Sequence, residues 1–180
     1  MEAVRTFTTR TAEEITIRPA EPEDSCEIID TIRSHARERS YVLMEQYGRG
    51  IASELDFIRT LDRLSNLLIV ATAGVEVVGC LAGLQADDGK REETVGILHL
   101  GLHLREEFRG KGIGTQMLAY AIDWAGESGF KKIQATIFTP NSHSIKLFSN
   151  AGFTEEGTRS HRIMMGSECV EKVVMTKSLE

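Results

Sequence analysis

The sequence predicts an α/β (α+β) fold, a mixed central sheet flanked by helices, and three observations carry that prediction. Residues 97–104, Ile-Leu-His-Leu-Gly-Leu-His-Leu, alternate with the period of a strand, and from Ile113 the apolar residues recur at Met117, Leu118, Ala121, Ile122 and Ala125, as on the buried face of a helix. Residues 131–138 alternate again, break at Thr139-Pro140-Asn141-Ser142, and lead into a short helix that Gly152 ends. Finally, 180 residues with 41% hydrophobic and 27% charged side chains describe one soluble globular domain with room for a full core.

Taken in order, residues 1–13 read as a polar, loosely ordered lead to a domain over 14–180. Ile15-Thr16-Ile17-Arg18 is a strand ended by Pro19, and Pro22-Glu23-Asp24 opens a helix whose apolar side is Ile28, Ile29 and Ile32. Residues 37–50 have no clean period and read as a loop that holds Tyr41 and Tyr47. Leu55, Ile58, Leu61 and Leu64 mark a second helix. Residues 67–71 and 75–84 form a hairpin around Ala73-Gly74, and residues 86–93 are a polar turn before the central strand. Strand-like text returns at residues 155–159 and 169–175. The order is therefore β-α-α-β-β-β-α-β-α-β-β, with no internal repeat and no linker.

The junction Arg109-Gly110-Lys111-Gly112-Ile113-Gly114 joins the central strand to the long helix through three glycines and two cations. Such a turn lets the backbone approach a ligand closely, and the first N–H groups of the helix point outward with the positive end of its dipole. An anion, above all a phosphate, belongs there. The glycines run G-x-G-x-G, so the dinucleotide fingerprint G-x-G-x-x-G is not met, and the pattern G-x-x-x-x-G-K-[ST] is absent. Asn141 can cap the short helix that follows, whose buried side is Ile145, Leu147 and Phe148.

Two of these blocks resemble the GNAT superfamily of N-acetyltransferases. Arg109, Gly112 and Gly114 satisfy its pyrophosphate motif R/Q-x-x-G-x-G/A, and residues 141–153 are similar to its N-x-x-A-I-x-L-Y-x-x-x-G-F. The "IRPA" strand with its helix also looks like a GNAT N-terminus, and the tail from Gly152-Phe153 resembles the branch of phosphinothricin and ribosomal-protein N-acetyltransferases. The resemblance covers residues 14–177. It implies a GNAT-type sheet, acetyl-CoA as co-substrate, and direct transfer of the acetyl group to a primary amine in a ternary complex. It further implies that Arg109, Gly110, Lys111, Gly112, Ile113, Gly114 and Thr115 hold the pyrophosphate. The backbone at Leu102 and Leu104 would pair with the pantetheine arm, and Asn141, Ser144 and Phe148 complete the cofactor contacts.

For catalysis, the amine must lose a proton, and His99 on the central strand is the candidate base or water relay, beside the reading of a histidine merely packed in a sheet. Glu45, Tyr41 and Tyr47 are further candidates. Phe148 stands where many relatives have a tyrosine that protonates the departing thiolate. Either the thiolate leaves unassisted, or Ser144, Ser149 or Tyr41 assists, or the protein is a non-catalytic acyl-CoA-binding regulatory module. A dinucleotide-binding domain is the remaining reading, disfavoured by the glycine spacing.

Other classes are excluded on simple grounds. His99 and His103, four apart on a strand, lie about 13 Å apart and cannot chelate one ion, so no metal is expected. A net charge of −6 argues against nucleic acid, and fits a small-molecule or peptide amine only loosely, since solubility explains such a charge as well. No apolar run approaches the ~20 residues of a membrane span. The N-terminus lacks the apolar core of a signal peptide, which gives the cytoplasm as the expected location. Cys26, Cys80 and Cys169 read as reduced, partly buried thiols, and none lies in a motif that would make an acyl-enzyme. The oligomeric state stays open, a homodimer being one option.

Overall fold

A computed structural model of the chain describes residues 4–37, 50–86, 96–165 and 168–179. Its strands are β1 (Arg5–Thr8), β2 (Glu14–Pro19), β3 (Leu67–Ala73), β4 (Glu76–Gln85), β5 (Ile97–Leu104), β6 (Lys132–Phe138), β7 (Thr154–Met165) and β8 (Glu168–Ser178). Its helices are α1 (Ser25–Arg37), α2 (Ile51–Thr60), α3 (Ile113–Glu127) and α4 (Ser142–Asn150). The strands form one sheet in the order β1-β2-β3-β4-β5-β6-β8-β7. β5 and β6 run parallel, with α3 as the crossover that a parallel pair requires, and the other pairs are antiparallel.

Both faces of the sheet are covered, and the alternation of each strand divides its side chains between them. On one face Leu98, Leu100 and Leu81 pack with Met117, Leu118 and Ala121 of α3 and with Phe148 of α4. On the other, Leu68, Val70, Val77 and Cys80 pack with Ile28 and Ile32 of α1 and Ile58 of α2. Burial of side chains such as Leu118 and Leu81 contributes about 1.5–3 kcal/mol each. Trp124 and Phe130 close the far end of α3, their ring centroids 5.7 Å apart.

From β2 onward the order of elements follows the sequence expectation, and three details differ. Residues 5–8, placed by their polarity in a loose lead, form β1 and pair with β2 from Arg5↔Ile17 to Thr8↔Glu14. Phe7 alone supplies β1 with an apolar inward side chain, which gives no readable period; Arg5 adds a bond to Asp123 at 2.9 Å and lies 4.6 Å over the Tyr120 ring. The second helix stops at Thr60, and Leu64 is 86% exposed. There Asp62 accepts from the Leu64 N–H at 3.1 Å and Asn66 N–H donates to the Asp62 carbonyl, a side-chain-supported turn that overrides the i, i+3 apolar spacing. The hairpin turns at Gly74-Val75, where Gly74 has φ 60°.

Between β3 and β4 the register steps from Ala71↔Gly79 to Thr72↔Val77, so Val78 bulges out of the ladder. Its carbonyl accepts the Arg105 N–H at 2.9 Å, which fixes the chain where it leaves β5.

Candidate functional site

β5 and β6 pair only from Ile97↔Lys132 to Leu100↔Ala135, although β5 continues to Leu104 and β6 to Phe138. The two parallel strands therefore diverge after Leu100 and open a wedge in the middle of the sheet. The peptide that joins Leu104 to Arg105 sends its N–H to β4, so the Leu104 C=O on the same planar unit points the opposite way, into the wedge. Two residues earlier, Leu102 shares that direction. The backbone at Leu102 and Leu104 is thus a strand edge facing a gap, able to receive one extended ligand.

The glycine-rich turn closes one end of this gap. After the single 3-10 turn Glu106–Phe108, Gly110 and Gly112 adopt φ of 72° and 91°, a left-handed geometry that L side chains resist, and Gly112 caps α3 without a side-chain bond. The first helical hydrogen bond runs from Gln116 N–H to Gly112 O at 3.2 Å, so the N–H groups of Ile113, Gly114 and Thr115 precede it and have no helical acceptor. The cations of the turn are engaged elsewhere. Arg109 folds back so that Nε and Nη2 donate to the Leu104 carbonyl at 3.2 and 3.1 Å. Lys111 Nζ donates to both carboxylate oxygens of Glu13 at 2.8 and 2.9 Å and stands 4.8 Å over the Phe108 ring. Lys111 in turn holds the Glu13 carboxyl below its ordinary range, with help from the Thr11 hydroxyl. The helix N-terminus therefore presents mostly backbone donors to an anion.

Gly114 is small for a different reason. A Cβ there would stand 3.2 Å from Leu147 Cδ2, 3.3 Å from Leu104 Cδ1 and 3.4 Å from Leu102 Cδ2. Glycine at this position lets α3 start directly against β5 and α4, which brings the helix N-terminus to the strand edge.

α4 forms as its sequence suggests. Asn141 Oδ1 accepts from the Ser144 N–H at 3.1 Å, and the helix ends at Gly152, φ 85°, with Phe153 N–H donating to the Phe148 carbonyl. Asn141 is thereby occupied in capping. Phe148 is buried and meets Phe153 edge-on at 5.0 Å, so its ring is part of the core beneath the wedge.

His99 and His103 lie half-buried on the α1 and α2 face, opposite Leu84 and Cys80 of β4. Between them, nothing among the described residues lies within 4 Å of a Cβ built on Gly101, which leaves an open floor at the point where β5 leaves β6. The same face buries Glu54 of α2. Burial, with a smaller contribution from the Glu54 charge, pushes the Cys80 thiol up to about 12, so Cys80 is an inert packing residue. Cys26 is exposed, contrary to the expectation of a partly buried thiol; the Cys169 side chain, like Glu45, Tyr41 and Tyr47, lies outside the described residues.

Glu13, Gly101 and Glu54 were not singled out by sequence. Lys111 and Cys80, the groups that Glu13 and Glu54 act on, lie far along the chain, and only the break that a glycine makes in the alternation of β5 could have pointed to Gly101.

Known proteins share this fold. The crystal structure of a GNAT-family acetyltransferase from Streptococcus pneumoniae matches with a TM-score of 0.82 at 20% identity, over 92% of this chain and 99% of that one. A phosphinothricin acetyltransferase from Sinorhizobium meliloti, in complex with AcCoA, matches with a TM-score of 0.81 at 21% identity, over 91% and 88%. In sequence, YwnH of Bacillus subtilis, which bears the provisional name of phosphinothricin acetyltransferase, is 38% identical over 58 residues; these are 32% of this chain and 36% of that relative's length. The model of the acetyltransferase (GNAT) family matches residues 42–153, and the chain belongs to that family.

Proposed function

We propose that the protein is an acetyl-CoA-dependent N-acetyltransferase that transfers the acetyl group directly to a primary amine in a ternary complex. The observation that carries this reading is the wedge. An edge of β5 without a ladder partner and a helix N-terminus without a side-chain cap meet through Gly114, so an extended arm and a diphosphate find backbone donors and acceptors side by side.

The residues present fit acetyl-CoA. Leu102 would offer its N–H and C=O to the pantetheine amides, and Leu104 its N–H, since Arg109 already occupies the Leu104 carbonyl. Ile113, Gly114 and Thr115 would hold the pyrophosphate by backbone N–H groups. The bound co-substrate supplies an activated thioester. Family membership and the AcCoA complex of the Sinorhizobium meliloti protein support the same choice.

The amine acceptor approaches from the other face, over Gly101, and His99 on the same strand face takes its proton directly or through one water. A backbone N–H of the wedge polarises the thioester carbonyl. Phe148 has no proton to give, so the thiolate leaves unassisted; with a thiol pKa near ~8.5 this is chemically acceptable. Phe148 also favours a second reading, a non-catalytic acyl-CoA-binding module. Two free cysteines, Cys26 and Cys80, suit a reducing compartment, and the same reading places the protein in the cytoplasm. Among the described residues no helix is long and apolar enough to cross a membrane.

The test is thiol release from acetyl-CoA across a panel of amines, amino acids and peptide N-termini. Activity is expected in the parent and a loss of about 10²-fold or more in His99→Gln, with CoA affinity unchanged. CoA binding with no release for any amine would favour the non-catalytic module, and loss of CoA binding in His99→Gln would give that histidine a structural role.

A further inference from the structure

β4 presents glycine at two positions that face α3, and each stands opposite a leucine of β5: Gly79 pairs with Leu104 and Gly83 with Leu100. A glycine inside a strand weakens it and marks a place where another group must come close. At Gly79 a Cβ would overlap Cδ2 of Leu104 and lie 3.1 Å from the His103 carbonyl oxygen. The other methyl of Leu104, Cδ1, is the one that lies 3.3 Å from the Cβ position of Gly114. Leu104 therefore lies flat across β4, one methyl over Gly79 and the other under the first turn of α3. With any side chain at 79, Leu104 must rise from the sheet into that turn, because a packed interior leaves no slack the size of a methyl group.

We propose that Gly79 is a positioning residue for the acyl-CoA site: by accepting Leu104 it sets the distance between the edge of β5 and the N–H groups that open α3. The inference rests on the functional reading above and adds to it a residue that touches no ligand. An arm held along Leu102 and a phosphate held at Ile113, Gly114 and Thr115 belong to one molecule. The spacing of their two sites must hold to within about half an ångström for both to be satisfied. Gly79 fixes that spacing through Leu104.

Gly83 supplies the control. Its Cβ would crowd Leu100 Cδ2 and Leu98 Cδ2, both at 3.1 Å, and Leu67 Cβ at 3.4 Å, all beside the paired part of β5 and away from Gly114. Crowding alone thus destabilises at both glycines, whereas only Gly79 is coupled to the phosphate end.

The experiment measures the CoA dissociation constant by calorimetry, and the thermal midpoint, for the full chain, Gly79→Ala, Gly83→Ala and the double variant Gly79→Ala/Leu104→Val. Gly79→Ala should weaken CoA binding by about tenfold or more, and the double variant should recover most of it because the shorter side chain makes room. Gly83→Ala should lower the midpoint and leave the dissociation constant unchanged. If Gly79→Ala does not fold, the double variant carries the test: it must fold and bind CoA within about threefold of the parent. Parent-like affinity in Gly79→Ala, an equal loss in Gly83→Ala, or no recovery in the double variant overturns the inference alone. A parent that binds no CoA overturns the functional reading and this inference with it.

Discussion

Gly112 and Gly114 sit two residues apart in one turn and need glycine for unrelated reasons. Gly112 has φ 91° with nothing within 4 Å of its Cβ position, so the constraint is its own backbone. Gly114 has an ordinary backbone, and its constraint is three leucine methyls at 3.2–3.4 Å. Replacing Gly112 by Ala should therefore cost about 1–2 kcal/mol of backbone strain, with the new methyl projecting into the mouth of the turn and CoA affinity falling as well. Replacing Gly114 by Val forces α3 off β5 and costs about 1–3 kcal/mol or more by overpacking. Urea unfolding with parallel CoA titration checks both. An undisturbed fold in Gly114→Val would mean that the leucines have room to move, and the tight start of α3 would not be what sets the site.

At the scale of elements, the β1–β2 hairpin is the piece that joins the cofactor end of the molecule from far away in sequence. Glu13, in the turn between the two strands, holds Lys111 of the glycine-rich turn, and Arg5 holds Asp123 of α3. The Arg5–Asp123 pair is exposed and the Glu13–Lys111 pair partly so, and each contributes little by itself and is screened by salt. Because the folded Glu13 carboxyl is held below its ordinary value, its contribution is present above that ordinary value and is lost as pH falls through the folded one. Glu13→Gln should lower the thermal midpoint slightly at pH 7, and the gap to the parent should close toward pH 3. A gap that persists at low pH would assign the effect to the hydrogen bonds of the turn instead of the charge.

The same hairpin shows where the sequence was readable and where it was not. β5, α3 and α4 announce themselves because period and punctuation agree: alternating leucines end at the glycine turn, and Asn141 and Gly152 bracket α4 with their own side chain and backbone. β1 has a single apolar inward residue, Phe7, and α2 is extended on paper by Leu61 and Leu64 although a side-chain-supported turn stops it at Thr60. The glycine turn that opens α3 was legible as a strand-to-helix junction, yet the engagement of Lys111 with a residue 98 positions away was not. The wedge is a matter of register between β5 and β6, which no local pattern encodes. His99 could be placed on its strand, but the space at Gly101 beside it, open among the described residues, depends on packing between elements far apart in sequence.

At the scale of the molecule, the wedge nearly divides the sheet. β1 to β5 form one antiparallel half and β6, β8 and β7 the other, and in the sheet they are joined by the four residue pairs of the β5–β6 ladder, with α3 as the crossover. A ligand that pairs with the β5 edge and with the start of α3 fills the seam, so its binding free energy adds to the cohesion of the two halves. A ligand that binds only the folded state stabilises it by about 2.7 kcal/mol at a hundredfold excess over its dissociation constant. For a chain of this size that corresponds to a rise of about 5–10 °C in the thermal midpoint. Differential scanning fluorimetry with CoA should show this rise, with hydrogen exchange slowed at Leu102, Leu104 and the first turn of α3. NAD at the same concentration should produce neither effect, because it has no pantetheine arm to lie along β5. A midpoint unmoved by millimolar CoA would remove the co-substrate assignment, and slowed exchange confined to the α3 turn would mean that phosphate is held there without an arm in the wedge.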